Sequence, residues 1–355
     1  MIEYCAEAGQ TMRGDVGLAV EMVHAFAEAG ATHFKVQMLD PDQLVTRDAP
    51  SYWQTGPPVE QHASFVANGV IPHTGWDRVR QACYAARVGF VATPFDLDAV
   101  HALADLEPDA VKVASGDITF LPLLRAVGAL GVPVFVSTGA SRMPEVRAAV
   151  ATVVHRTAAT YSMVTPLACT LRYPTPQHDA KLIRIPLIRA ELADMWSFRI
   201  GYSDHTLESD TSMFAVLAGA RLLEKHVTMF PGEWGHINGD GSFVPDDAMG
   251  LNPRAFAEYV QWGRLGETLL SERVDDAGEA EARTGARRAA RFARAMPANT
   301  VVGDGDVTYL RPCDPDDDGR SILLAVQHPT TTRAVEIGER LSDFNCMVKT
   351  SEQPA

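Results

Sequence analysis

The sequence predicts an α/β protein, a (β/α)8 barrel followed by a small β-rich domain. Three observations carry this expectation. Short apolar runs alternate with helix-patterned segments about eight times. Successive runs end in polar or charged residues, whereas a doubly wound sheet would gather such residues at one switch point. Near residue 287 the alternation gives way to short strand-and-turn patterns. Strand alternating with helix over roughly 250 residues fits either a barrel or a doubly wound sheet, and a count of eight favours the barrel.

The strand candidates are 2–7, 32–37, 88–92, 109–114, 132–137, 164–170, 198–203 and 221–227. Buried parallel strands read as continuous apolar runs, as AVKVA and PVFV do here. Amphipathic stretches at 15–29, 75–87, 142–156 and 207–219 supply helices between them. Residues 39–74 form a long insertion after the second strand, with Tyr52, Trp53 and few helix formers. Loops of that length are usually lids or binding loops. A helix near 254–270 ends the barrel domain, 1–272. Residues 273–286 read as a connecting helix or linker, and 287–350 as the β-rich domain.

Composition narrows the function. A chain of 355 residues suits one large domain and a smaller one. A net charge of −14 repels a phosphate backbone and argues against nucleic acid as a partner, while leaving room for a local basic pocket. The five cysteines (Cys5, Cys83, Cys169, Cys313, Cys346) are odd in number and lack CxxC spacing. That favours buried, reduced thiols and a cytoplasmic location over disulfides or a zinc site. No signal peptide or membrane span is read from the sequence.

The strands end in Glu7, Lys35 with Gln37, Thr93, Lys112 with Ser115, Ser137 with Thr138, Tyr173, Ser203 with His205, and Glu224 with His226. Barrel enzymes build active sites from such residues. His205 and His226 end adjacent strands, so two imidazoles converge and leave open positions on a divalent ion. A lone histidine would more often be a satisfied structural residue, and a lone barrel lysine a salt-bridge partner.

The motifs AEAG (6–9), FKVQ (34–37), ATPFD (92–96), VKVASGD (111–117), STG (137–139), YPTP (173–176), GYSDHT (201–206) and LEKH (223–226) occur in this order. Together they resemble the sialic acid synthase family from residue 2 to about 270. The block ANTVVGDGDVTYLRP is similar to that family's antifreeze-like (SAF, β-clip) domain. The resemblance implies condensation of phosphoenolpyruvate with a sugar-like aldehyde, with phosphate released by C–O cleavage. It implies a divalent metal ion, Mn2+ or Mg2+, on His205 and His226, polarising the aldehyde. Lys35, Thr93, Lys112, Ser115, Ser137 and Ser203 would bind phosphoenolpyruvate through charge and hydrogen bonds. Glu7, Lys112, Asp117 and Glu224 would serve the chemistry, and Gln37 and Tyr173 would face the substrates. Arg311 would reach the sugar site of the other subunit in a homodimer.

The sequence departs from the family in several places. An Asn-His pair after the first strand is replaced within Gln10, Thr11, Met12, Arg13 and Gly14. The carboxylate of an SGE motif, tied to proton transfer, is Asp117, shorter by one methylene. Misplacements of about an ångström can cost roughly a hundredfold in rate. Leu171 and Ala168 replace an asparagine and a histidine. A Gly-Pro-Asp-His stretch after the eighth strand becomes GEWGHINGDGS, where Asn238 or Asp240 could supply the acceptor-binding aspartate and His236 is a further polar group. The phosphate and metal ends thus look kept and part of the acceptor side altered, which points to an unusual acceptor. Two rivals remain: an aldolase or lyase using Lys112 or Lys35 as a Schiff-base nucleophile, and a non-catalytic binding or regulatory homologue.

Overall fold

The structure is a computed structural model, and it describes residues 1–53, 60–156, 163–195, 199–231, 244–271, 276–317 and 319–348. Eight parallel strands close into a barrel. They are β1 (Glu3–Glu7), β2 (His33–Met38), β3 (Gly89–Pro94), β4 (Ala110–Val113), β5 (Val134–Ser137), β6 (Val164–Cys169), β7 (Gly201–Asp204) and β8 (Leu222–His226). Seven lie within two residues of their expected bounds. The seventh starts at Gly201, because Arg199 and Ile200 are not in the strand. Gly201 is required by packing: a Cβ there would stand 2.3 Å from Leu167 Cδ2 and 2.7 Å from the Leu222 carbonyl oxygen.

The two-residue period of a strand sorts the side chains. Cys5, Val91, Ala110, Phe135, Leu167 and Leu222 form one apolar cluster inside the barrel. Two residues further along each of those strands stand Glu7, Thr93, Lys112, Ser137, Cys169 and Glu224. The interior is therefore apolar below and polar at the carboxyl end. The alternate residues, such as Phe34, Val36, Phe90, Val111, Val134 and Val136, belong to the larger core shared with the helices. Helix Val16–Glu28 buries Ala19, Met22, Val23 and Phe26 at helical spacing, and the Asp15 side chain caps it by accepting from the Gly17 and Leu18 amides. Phe26 meets Phe256 of helix Pro253–Leu269 edge to face at 5.6 Å.

The insertion after β2 is less irregular than the sequence implied. It holds a turn of helix at Pro41–Leu44 and a helix at Gln61–Asn68, which buries Ser64, Phe65 and Asn68. An apolar residue flanked by small polar ones, spaced for one helix face, is too short a pattern to stand out against the surrounding prolines.

One outward pair is charged. Lys225 Nζ lies 3.2 Å from Asp204 Oδ2, and both side chains are fully buried. The ammonium also donates to the Thr206 carbonyl and lies 5.5 Å from the centre of the Tyr259 ring. This ion pair joins β7 to β8 immediately behind His205 and His226.

The chain divides into two compact units, Met1–Ser271 and Glu272–Ala355. The second contains helix Asp276–Ala286, where the sequence read a connecting helix or linker. It continues with β9 (Ala289–Phe292) antiparallel to β10 (Val307–Leu310), helix Arg320–Ala325, and β11 (Thr330–Thr331) paired with β12 (Cys346–Met347). Ala290, Phe292, Met296, Val302, Val335 and Leu341 form its core. All five cysteines are buried and unbridged among the described residues. No helix among the described residues is long and apolar enough to cross a membrane.

Removing one partner of a buried ion pair strands the other charge. Lys225→Met should therefore lower unfolding free energy by about 3–5 kcal/mol, and adding Asp204→Leu should recover much of that loss. Chemical denaturation of the three proteins checks this, and an unchanged midpoint in Lys225→Met contradicts it.

Candidate active site

Four buried charges occupy the carboxyl end of the barrel. Strand register sets their order, since Glu7 is opposite Lys35 on one side and His226 on the other, and Ser203 is opposite Glu224. Lys35 Nζ lies 2.6 Å from Glu7 Oε2 and 3.8 Å from Glu224 Oε2. Lys112 Nζ lies 3.8 Å from Glu224 Oε1 and donates to the Val113 carbonyl at 3.0 Å. Thr93 Oγ1 accepts from Lys35 at 3.2 Å, Glu7 accepts from Gln37 Nε2 at 2.8 Å, and Glu224 accepts from Ser203 Oγ at 2.8 Å.

Burial and charge pull against each other here. Burial alone would neutralise Lys35, but Glu224 and Glu7 outweigh it and raise its pKa. Lys112 has weaker compensation, so burial lowers its pKa despite Glu224. Burial would raise Glu224, and Lys112 with Lys35 reverses the sign. Glu7 goes the other way, with burial winning over Lys35 to raise its pKa. Lys35 is thus held charged at the cavity, where it can meet an anionic ligand.

Hydroxyls surround this end. Ser115 Oγ accepts from the Gly139 amide at 3.0 Å and lies 3.7 Å from Cys169 Sγ. Ser137 Oγ is buried and makes no hydrogen bond. Arg184 donates to the carbonyls of Cys169 and Thr138 at 3.1 and 2.7 Å, tying together the ends of β5 and β6. Leu171 belongs to this hydroxyl cluster, because a Cβ on Gly139 would stand 3.2 Å from Leu171 Cβ and 2.8 Å from Ser115 Oγ. Leu171, one of the departures from the family pattern, thus stands beside the serines. Thr11 and Met12 lie elsewhere. The Thr11 hydroxyl is spent on the Ala8 and Val227 carbonyls, Met12 is packed in the core, and neither lines the cavity.

The histidines face each other with ring centres 5.4 Å apart. The Thr170 carbonyl, which can only accept, lies 2.8 Å from His205 Nδ1, so that nitrogen carries hydrogen, and in the neutral ring Nε2 keeps a lone pair. Burial works against charge on His205, but Cys169 and Thr170 outweigh it and raise its pKa. Burial and His205 drive His226 well below the ordinary value. Its Nδ1 is buried without a hydrogen bond, 3.7 Å from Asp246 Oδ2. Tyr173 leans on His205 at 4.3 Å, Tyr52 meets Tyr173 at 5.7 Å, and Trp53 meets Tyr52 at 5.4 Å. Among the described residues, no group of three or more histidine, cysteine or acidic side chains gathers as a metal site.

A cavity of about 300 Å3 brings the predicted residues together. Glu7, Lys35, Gln37, Thr93, Lys112, Ser115 and Asp117 line it, and so do Ser137, Tyr173, Ser203, His205, Glu224 and His226. Asn238 and Asp240, with His236, lie outside the described residues. Arg311 follows β10 in the second unit and is exposed. The cavity also recruits Gln10, Cys169 and Asp246, which the sequence reading did not assign to the site, and Trp53 and Phe65 of the insertion read as a lid or binding loop. Cys169 was legible as the inward neighbour two residues past Leu167. Asp246 lies 20 positions beyond His226, so no local spacing ties it to the end of β8.

A (β/α)8 barrel with charged, hydroxyl-rich strand ends defines an enzyme-type site. The family model described as the NeuB family matches residues 22–274, and the chain belongs to that family. It is 30% identical over 319 residues to the N,N'-diacetyllegionaminic acid synthase of Legionella pneumophila, covering 86% of this chain and 84% of that one. The crystal structure of N-acetylneuraminic acid (sialic acid) synthetase from Leptospira borgpetersenii, in complex with citrate, superposes with a TM-score of 0.66 at 25% identity, over 79% of this chain and 91% of that one. The putative spore coat polysaccharide biosynthesis protein E of Chromobacterium violaceum superposes over 98% of this chain and 99% of that one, with a TM-score of 0.78; at 21% identity this is a likeness of fold.

Asp117 provides a pH test. Burial raises its pKa from 3.8 to about 6, against a smaller opposing effect of Lys112. A raised folded-state pKa favours the folded protein at low pH, and that contribution is lost as pH climbs from about 4 through 6. Asp117→Asn should thus gain thermal stability relative to the parent across that window and hold a constant difference above it. Melting curves between pH 4 and 8 decide; a flat difference contradicts the burial of this carboxyl.

Proposed function

We propose that the protein condenses phosphoenolpyruvate with a sugar-like aldehyde in an aldol-type reaction, forming a nonulosonic-acid-type product and releasing phosphate by C–O cleavage. The observation that carries it is the placement of Lys35 and Lys112 around Glu224 at the floor of a cavity that also holds the unpartnered Ser137 hydroxyl. Phosphoenolpyruvate is close to a trianion at neutral pH, and Lys35, Lys112, Thr93, Ser115, Ser137 and Ser203 offer it charge and donors. Protonation of Glu7, favoured by burial, would release Lys35 for the ligand.

The third carbon of phosphoenolpyruvate attacks the aldehyde carbon, and the aldehyde oxygen takes a proton to become a hydroxyl. Positive charge at the second carbon is met by water, which loses a proton. The tetrahedral intermediate then breaks the bond from its second carbon to the bridging oxygen, and its hydroxyl proton passes to the departing phosphate, giving a ketone and phosphate. Asp117, which lines the cavity and has a pKa near 6, would pass these protons. Glu224 stays ionised and faces the developing positive charge. Gln37, Tyr173 and Asp246 line the rest of the cavity as acceptor contacts, and Asn238 or Asp240, outside the described residues, is the further acceptor-binding group.

The donor set fits an openly held divalent ion, Mn2+ or Mg2+. The orphaned His226 Nδ1 and the lone pair left on His205 Nε2 would hold it, with the remaining positions free for water and substrate. When bound, the ion would polarise the aldehyde as a Lewis acid. The second unit is assigned as SAF-like on its sequence motif, with Arg311 serving the partner's site in a homodimer. Lys112 favours one rival, since a buried lysine of lowered pKa is suited to Schiff-base chemistry.

With phosphoenolpyruvate, Mn2+ and a panel of aldoses, the protein should release phosphate only when an accepted aldose is present. Chelation should stop the reaction, and Lys35→Met should slow it by about a hundredfold or more. No phosphate with any acceptor contradicts the proposal. Irreversible labelling of Lys112 by borohydride with a carbonyl substrate, without need of metal, would install the rival.

A further inference from the structure

Arg13 stands where the sequence leaves the family pattern, and the fold gives it a partner 234 positions away. Arg13 Nη2 donates to Asp247 Oδ2 at 2.7 Å. The other Asp247 oxygen accepts from Thr228 Oγ1 at 2.5 Å. The guanidinium also covers the Phe230 ring at 4.1 Å. The Asp247 side chain is only 5% exposed, against 24% for Arg13. Neither residue lines the cavity, but the neighbouring Asp246 does. Asp246 Oδ2 accepts from the Gln10 amide at 2.9 Å, and a Cβ on Gly9 would lie 2.2 Å from that oxygen. The turns Gly9–Met12 and Pro245–Ala248 are thus locked together by two carboxylates in succession, one facing the cavity and one behind it.

We propose that the Arg13–Asp247 ion pair is a positioning device that clamps these turns and sets where the Asp246 carboxylate meets the acceptor. The assignment rests on the synthase reading for its kinetic consequence, though not for its structural one. The physical reason is the penalty for a buried charge. Without Arg13, the buried Asp247 loses the cation at 2.7 Å and its turn is held less firmly. Asp246 then moves with it, while the lysines on β2 and β4 keep their own strand-borne positions.

Hydrogen exchange and steady-state kinetics of Arg13→Gln, Asp247→Asn and Arg13→Lys test it in the full chain. The Gln10 amide donates to Asp246, so its exchange reads the clamp whether or not the enzyme turns over. In Arg13→Gln and Asp247→Asn it should exchange about tenfold faster, within the usual range for coupled neighbours, with β4 and β5 amides unchanged. Arg13→Lys should stay near the parent. The acceptor KM should rise about tenfold while the phosphoenolpyruvate KM holds. Unchanged Gln10 exchange overturns the proposal. So does a rise in both KM values accompanied by lost protection in the strands, which marks a general structural role. A parent protein inactive with every aldose defeats the synthase reading and leaves the exchange result to decide the clamp.

Discussion

Everything at the carboxyl end of the barrel depends on keeping four ionisable groups, Glu7, Lys35, Lys112 and Glu224, inside a protein. Two unit charges 3.8 Å apart interact by roughly 4 kcal/mol at an effective dielectric constant of about 20, and the Lys35–Glu224 and Lys112–Glu224 distances are both 3.8 Å. That attraction offsets desolvation only if the strands hold register, since a slip of one residue would turn each side chain to the other face. The apolar plug of Cys5, Val91, Ala110, Phe135, Leu167 and Leu222 fixes that register one layer down. The fully buried Asp204–Lys225 pair fixes β7 against β8 from outside. Stability and site geometry are therefore two consequences of the same alternation.

The charge balance also shapes what can bind. The lysines share Glu224 as a common partner, and Glu7 resists ionisation. An anionic ligand supplies the charge the quartet lacks. The changes from the family pattern are distributed around it in a graded way. Thr11 and Met12 are absorbed into backbone hydrogen bonding and core packing. Arg13 is paired with Asp247. Leu171 alone replaces a polar group with an apolar one beside the hydroxyls, and nothing among the described residues compensates for it.

Much of this was legible in the sequence. Eight apolar runs marked the strands because parallel strands are buried on both faces, and period two then put Glu7, Thr93, Lys112, Ser137 and Glu224 on the inward face. What escaped notice depends on contacts distant in sequence. Gln10 and Asp246 meet across 236 positions, and Arg13 and Asp247 across 234. No local pattern reports such a meeting. Helix Gln61–Asn68 was obscured for a different reason: two turns are too short for periodicity to outweigh the flanking turn formers.

The fate of the bridging oxygen of phosphoenolpyruvate tests the central claim most directly. With phosphoenolpyruvate labelled with 18O at that position, and an accepted aldose, the account predicts that the label leaves in phosphate and shifts its 31P resonance. Label retained in the organic product would mean cleavage of the P–O bond, and would contradict a condensation in which water adds at the second carbon and phosphate departs.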